Sequence, residues 1–164
     1  MPSPALLCLF MTHIRKAVPD DLEGLVACST ALFAEDAGTR DPTLSQDWPR
    51  LHAAGSFRSS LEDPSRLVLV ADDGGAVVGH LTGGLAEPSD IRPLRVATLG
   101  SLYVMPPHRG TGVGAKLVAA FHEWARQAGA DRLAVSAYAT NDGAIRFYQR
   151  HGFLPRTVLL EREA

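Results

Sequence analysis

A chain of 164 residues can bury a real core without help from metals or disulfides. Its 16 Lys and Arg against 18 Asp and Glu give a net charge of −2, so neither nucleic acid nor an anionic membrane is expected as a partner. Cys8 and Cys28 are too few and too unpatterned for a disulfide framework or a metal site. No metal is therefore expected, and a reducing, cytoplasmic setting is.

The opening ALLCLFM is apolar but far shorter than a membrane span, and it lacks the basic start and small-residue cleavage site of a secretory signal. Residues 11–164 read as a single domain beginning at Met11, with 1–10 as an N-terminal extension expected to be disordered. A short strand is expected at 13–17. PDDLEGLVACSTALFAED then has Leu22, Leu25, Val26, Leu32 and Phe33 at helical spacing. Pro19 and two acids occupy its first turn, where the helix dipole favours them. A second helix, spanning 45–62, is interrupted by Pro49 and Gly55. RLVLVADDGGAVVGHLTGGLA reads as two strands around a tight turn at Asp73-Gly74-Gly75. After a polar connection over 87–94, RVATLGSLYVM is a strand that stops at Pro106-Pro107. Val113, Leu117, Val118, Phe121, Trp124 and Ala125 make one apolar helix face, with Gly129 as its stop. DRLAVSAYA supplies a strand, NDGAIRFYQRHG a short helix and FLPRTVLLERE a last strand. The predicted order is β-α-α-β-β-β-α-β-α-β.

Charge is unevenly spread. Seven acids and one base lie between Asp20 and Asp47, whereas eight bases and five acids follow from Arg109 onward. An anionic ligand would prefer the second half, which also holds RGTGVG at 109–114. A nucleotide-hydrolysing phosphate loop would need Gly-Lys-Ser/Thr, but Lys116 stands between Ala115 and Leu117. A dinucleotide fingerprint fits Gly110, Gly112 and Ala115, yet that motif turns directly out of its strand, and here MPPHR intervenes. The first turn of any helix carries unpaired amides and a partial positive charge. Glycines at 110, 112 and 114 would let an anion reach those amides, and Arg109 adds formal charge. The plain alternative is a tight turn with close helix packing.

Arg109-x-x-Gly112-x-Gly114, placed after a strand ending in LYV, resembles the pyrophosphate-binding signature of the acyl-CoA-dependent N-acetyltransferases of the GNAT superfamily. Asn141-x-x-Ala144-x-x-Phe147-Tyr148-x-x-x-Gly152-Phe153 resembles that family's later motif, and the element order is similar too. The resemblance implies an α/β fold, α+β by some schemes. Its sheet would be mixed, mostly antiparallel and of six to seven strands, splayed between the fourth and fifth and flanked by about four helices. The resemblance also implies acetyl-CoA as cosubstrate and direct transfer of its acetyl group to a primary amine. A non-catalytic acyl-CoA-binding module is the alternative, as is a protein acetyltransferase acting on lysine or an N-terminus. A homodimer is among the assemblies it allows.

By the same resemblance, Arg109, Gly110, Thr111, Gly112, Val113, Gly114 and Ala115 would hold the pyrophosphate. The Leu102 N–H would meet the thioester carbonyl, with the main chain of Leu102, Tyr103 and Val104 along the pantetheine arm. Asn141, Ala144, Phe147 and Tyr148 would complete the cofactor site, Asn141 bonding the pantetheine, capping its helix, or both. Tyr148 would be the general acid, because a phenol is protonated at neutral pH and can donate to a thiolate.

The base is where the sequence departs from the family. The central-strand glutamate of many relatives falls here on Thr98 or Gly100. Glu35 is the candidate replacement, with Asp36, His80, Glu87 and Asp90 beside it. A route without a dedicated base, in which water relays the proton of a partly neutral amine, stands as the other option. Glu35, Asp36, Asp41 and Asp47 suggest a small, cationic acceptor, and Trp48 and Phe57 either line its wall or close the core.

Overall fold

The computed structural model describes residues 11–164, so the extension expected at 1–10, with Cys8, lies outside the described residues. One sheet runs β1 (His13–Lys16), β2 (Arg66–Asp73), β3 (Ala76–Ala86), β4 (Val96–Val104) and β5 (Arg132–Val135), in that spatial order. The first four strands pair antiparallel, and β5 joins β4 in parallel. Four α-helices accompany them: α1 (Leu22–Thr39), α2 (Ala54–Glu62), α3 (Val113–Gln127) and α4 (Asp142–Arg150). Among the described residues no helix is long and apolar enough to cross a membrane.

Strand β2 explains the layering. Its residues alternate faces, as any strand's must. Leu67, Leu69 and Ala71 join Val113, Leu117, Val118, Phe121 and Ala125 of α3. Val68 and Val70 join Leu25 of α1 with Ala53 and Phe57 on the other face. Both faces are covered, which is why RLVLV reads as an unbroken apolar run rather than an alternating one. Each fully buried Leu, Val or Phe contributes about 1.5–3 kcal/mol relative to an exposed one.

Strand β4 carries an irregularity that the sequence does not announce. Thr82 pairs with Ser101 and Gly83 with Leu99, so Gly100 is an extra residue on β4. Such a bulge reverses the alternation beyond it. Ala97 and Leu99 face α3 before the bulge, and Leu102 and Val104 pack on that cluster after it. Ser101 is thereby turned to the α1 side.

Four expectations need correction. The sheet has five strands, not six to seven. The segment 153–164 forms no strand, with Leu154, Val158, Leu159 and Leu160 between 78% and 87% exposed. Pro155 lacks an N–H to donate, and the consecutive Val158-Leu159-Leu160 present no single apolar face. The preceding strand, expected over 131–139, is only four residues long. The second helix begins with a wide π-type turn over Pro49–Ala53 before α2 proper, with Pro49 at its first position, where a missing N–H costs no helical bond.

The start of the fold is held by charge. Arg15 bonds Asp21 at 2.7 Å and Asp72 at 3.0 Å, and Asp21 also accepts from the Val18 N–H at 2.8 Å. Asp21 is buried, and Arg15 first, then the Val18 N–H, holds its carboxyl below the usual range. A depressed carboxyl stabilises the fold above the unfolded-state value, about 3.9, and that contribution is lost as pH falls through the folded value. Asp21→Ala should cost about 1–3 kcal/mol at neutral pH. Urea unfolding at pH 7 and at more acid pH checks this: the gap between wild type and variant should narrow toward the acid end.

Candidate active site

Strand β4 leads into the site. Its parallel ladder with β5 runs only from Val96 opposite Arg132 to Leu99 opposite Val135. On the other edge, pairing with β3 continues to Val104 opposite Gly79, and the Met105 N–H donates to the Val78 carbonyl at 2.8 Å. Antiparallel partners alternate, so the backbone groups of Leu102 and Val104 point away from β3 into the gap where β5 has departed. This gap is the splay expected between the fourth and fifth strands.

A single tight turn at Pro106–His108 carries the chain into the glycine segment. Gly110 and Gly112 have φ of +73° and +89°, the left-handed region that a side chain disfavours. Gly112 is also the N-cap of α3 and supplies no side-chain cap. Among the described residues, none of the backbone N–H groups from Gly110 to Ala115 has a protein acceptor, and the first helical bond is Lys116 N–H to Gly112 O at 3.0 Å. Free amides at a helix mouth make an anion seat. A Cβ on Gly110 or Gly112 would meet nothing within 4 Å, so the loop is open on its outer side. Gly114 serves differently. A Cβ there would lie 3.4 Å from the Phe147 ring, so the start of α3 faces α4, whose Phe147 and Tyr148 pack on the α3 cluster.

Arg109 is turned back toward the sheet. Its Nε donates to the Val104 carbonyl at 2.8 Å, its guanidinium stands 5.2 Å from the centre of the buried Tyr103 ring, and Nη2 pairs with Glu35 at 2.8 Å. The Thr111 hydroxyl donates to the His108 carbonyl at 2.6 Å, and His108 Nε2 lies 3.0 Å from Asp73. These contacts tie the loop to the β2–β3 turn.

Across the splay, Asn141 caps α4 by accepting from the Ala144 N–H at 3.1 Å, which is the capping half of its expected role. Tyr148 is half-buried, its ring packed on Phe147 at 5.3 Å and Phe153 at 5.8 Å. Burial pushes its phenol up to about 12. Phe147 packs against the α3 core as well as against Gly114.

The candidate bases fare unequally. Both Glu35 oxygens are engaged by Arg109, at 3.3 and 2.8 Å. Asp36 pairs with Arg40 at 2.8 Å and Glu87 with Arg95 at 2.7 Å. Thr98 and Gly100 are exposed. His80 alone of the candidates lines a cavity of about 200 Å³, enclosed by α1, the segment from Trp48 to Phe57, β3 and β4. Its Nε2 is 3.0 Å from the Ser101 hydroxyl, which in turn is 2.7 Å from the Thr82 hydroxyl. Trp48 and Phe57 both line this chamber, and Phe57 belongs to the core too. Sequence reasoning missed Ser101 and Thr82. The spacing of His80 and Thr82 put them on one face, but simple alternation from Leu99 would send Ser101 to the other.

A phosphate-ready helix mouth, a splayed central strand and a capped helix bearing Tyr148 therefore converge. The family model described as acetyltransferase (GNAT) family matches residues 30–153. The chain belongs to the GNAT acetyltransferase family. It is similar to an uncharacterised N-acetyltransferase of Mycobacterium tuberculosis, 31% identical over 129 residues that cover 78% of this chain and 74% of the relative. The fold of this N-acetyltransferase is similar to that of a mutant BH1408 protein of Bacillus halodurans, with TM-score 0.85, 20% identity and coverage of 93% and 99% of the two chains. The aminoglycoside N-acetyltransferase AAC(6')-Iy, solved with CoA, shares the fold at TM-score 0.70 and 19% identity, again covering 93% and 99%.

Proposed function

We propose that the chain transfers an acetyl group from acetyl-CoA to the primary amine of a small acceptor. The observation that carries this reading is the run of unpartnered amides from Gly110 to Ala115 at the mouth of α3, open to solvent over Gly110 and Gly112. A diphosphate needs several convergent N–H donors and a positive helix end, and both are present. Acetyl-CoA supplies the acetyl group already activated as a thioester. In this reading, the backbone amides from Gly110 to Ala115 hold the diphosphate end while Arg109, paired with Glu35 and the Val104 carbonyl, braces the loop, and the edge of β4 at Leu102 and Val104 receives the pantetheine arm. The Leu102 N–H donates to the thioester carbonyl, where charge builds as the amine attacks. Asn141, Ala144 and Phe147 form the α4 side of that passage. Tyr148 donates a hydrogen bond to the departing sulfur, and its raised pKa keeps the phenol protonated throughout the working range.

Glu35 is assigned a holding role in place of the basic one. Its carboxylate positions Arg109, which in turn occupies the Val104 carbonyl beside the pantetheine path. The likeness to a CoA-bound aminoglycoside acetyltransferase supports the cosubstrate through shared fold.

Gly112→Glu places bulk and negative charge on the diphosphate seat, and titration calorimetry should show no heat with acetyl-CoA; affinity unchanged from wild type would refute the seat. Tyr148→Phe should keep acetyl-CoA affinity and lower kcat about 100-fold, the scale of one preorganised hydrogen-bond donor to developing charge, as read by thiol release at saturating acetyl-CoA. Glu35→Gln should alter the KM for acetyl-CoA while kcat stays within about fivefold, whereas loss of a general base would cost about 100-fold or more in kcat.

A further inference from the structure

The acceptor chamber has an unusual inventory for a pocket expected to receive an ammonium group. Phe33 and Trp48 stack at 5.3 Å with their planes 8° apart, Phe57 closes the chamber near His80, and the polar side chains that line it carry hydroxyls, the Trp48 indole and one imidazole. Of the residues lining it from α1, the 48–57 segment, β3 and β4, only His80 titrates; His52 touches Trp48 at 5.9 Å but does not line the chamber. His80 is buried, and burial drives it down to about 4, so it is uncharged in the working range. Its Nδ1 has no hydrogen-bond partner among the described residues. The acids that suggested a cationic acceptor are engaged elsewhere. Glu35 holds Arg109, Asp36 holds Arg40, Asp41 takes the Thr43 hydroxyl at 2.6 Å, and Asp47 lies 3.7 Å from Arg50. None of the four lines the chamber.

Resting on the acetyl-transfer reading, we infer that the acceptor is a small amine with a compact aromatic or branched-alkyl body, bound and acetylated as its uncharged free base. Ser101 lies in the chamber wall and is followed directly by Leu102, whose N–H faces the splay, so an amine among the hydroxyls sits next to the carbonyl it must attack. An ammonium ion entering this lining would exchange water for uncharged walls, a strongly unfavourable transfer, and would shed its proton instead. The free base donates to or accepts from Ser101 and His80 without any change in their charge. The chemistry then balances internally. The amine nitrogen forms a bond to the acetyl carbon, the carbon–sulfur bond breaks, and the proton lost by nitrogen is the one gained by sulfur. No carboxylate is required, in keeping with Thr98 and Gly100 on β4.

The test compares kcat/KM for 2-phenylethylamine and isoamylamine with that for spermidine and kanamycin, by CoA release, alongside acetyl-CoA calorimetry. The apolar amines should be favoured at least tenfold, and their kcat/KM should rise about tenfold per pH unit between about pH 6 and about pH 9, following the free-base fraction. Ser56→Asp, at an exposed position on the chamber rim, should shift the preference toward spermidine at least tenfold. Equal or better use of the polycations, or a pH profile flat above neutrality, overturns the inference while the acetyl-transfer reading survives. Failure of acetyl-CoA to bind, or of every amine to react, overturns both.

Discussion

Strand β4 has a full ladder on one edge and a four-residue ladder on the other, and this inequality organises the site. Backbone groups left unpaired inside a protein are costly unless something else meets them. Here two sets of them converge, the free edge of β4 around Leu102 and the uncapped amides at the mouth of α3. One sharp corner at Pro106–His108 joins the two, so a ligand that satisfies one is led to the other. The departing β5 delivers the chain to Asn141, whose cap starts α4. Packing of Phe147 and Tyr148 on the α3 cluster then sets α4 beside the mouth of that helix.

The bulge at Gly100 sets what lies on the acceptor side. Without that extra residue, Ser101 would face α3 and Leu102 would face the chamber. With it, Ser101 joins His80 and Thr82 in a chain of hydrogen bonds, while Leu102 packs into the core. One inserted residue thus exchanges an apolar wall for a polar, uncharged one. A Cβ on Gly100 would stand 3.0 Å from the Thr82 hydroxyl, so a side chain there would press on the hydrogen-bonded chain of Thr82, Ser101 and His80.

The parts of this arrangement that were legible in the sequence are those encoded over a few adjacent residues. The glycine run before an amphipathic helix, the Asn141 cap and the β2–β3 hairpin depend on local backbone preferences, and each appears where the residues placed it. The rest depends on partners distant in sequence. Arg109 looked free to meet an anion until Glu35, 74 residues earlier, was found paired with it. The acidic cluster looked like an attractor for cations although Arg40 and Arg50 stand at helical spacing from Asp36 and Asp47; only the partner of Glu35 is distant in sequence. The last strand failed for a related reason. Apolar content suggested burial, but Leu154, Val158, Leu159 and Leu160 find no face to cover.

In the proposed transfer, the phenol of Tyr148 constrains how the proton moves. With its pKa pushed up to about 12, handing its proton outright to a thiolate of ordinary basicity, near 8.5, would be uphill by about 5 kcal/mol. Tyr148 is therefore better suited to stabilising the leaving sulfur by a hydrogen bond than to ionising. The proton that ends on sulfur must then come from the amine itself. An amine that enters uncharged still has one to give once its nitrogen bonds to the acetyl carbon, whereas an ammonium would first need somewhere to leave a second. The chamber walls, with hydroxyls and a neutral imidazole but no carboxylate, provide no such acceptor. Raised phenol and uncharged walls are thus two sides of one requirement of the proposed route: a transfer in which no protein group changes its charge.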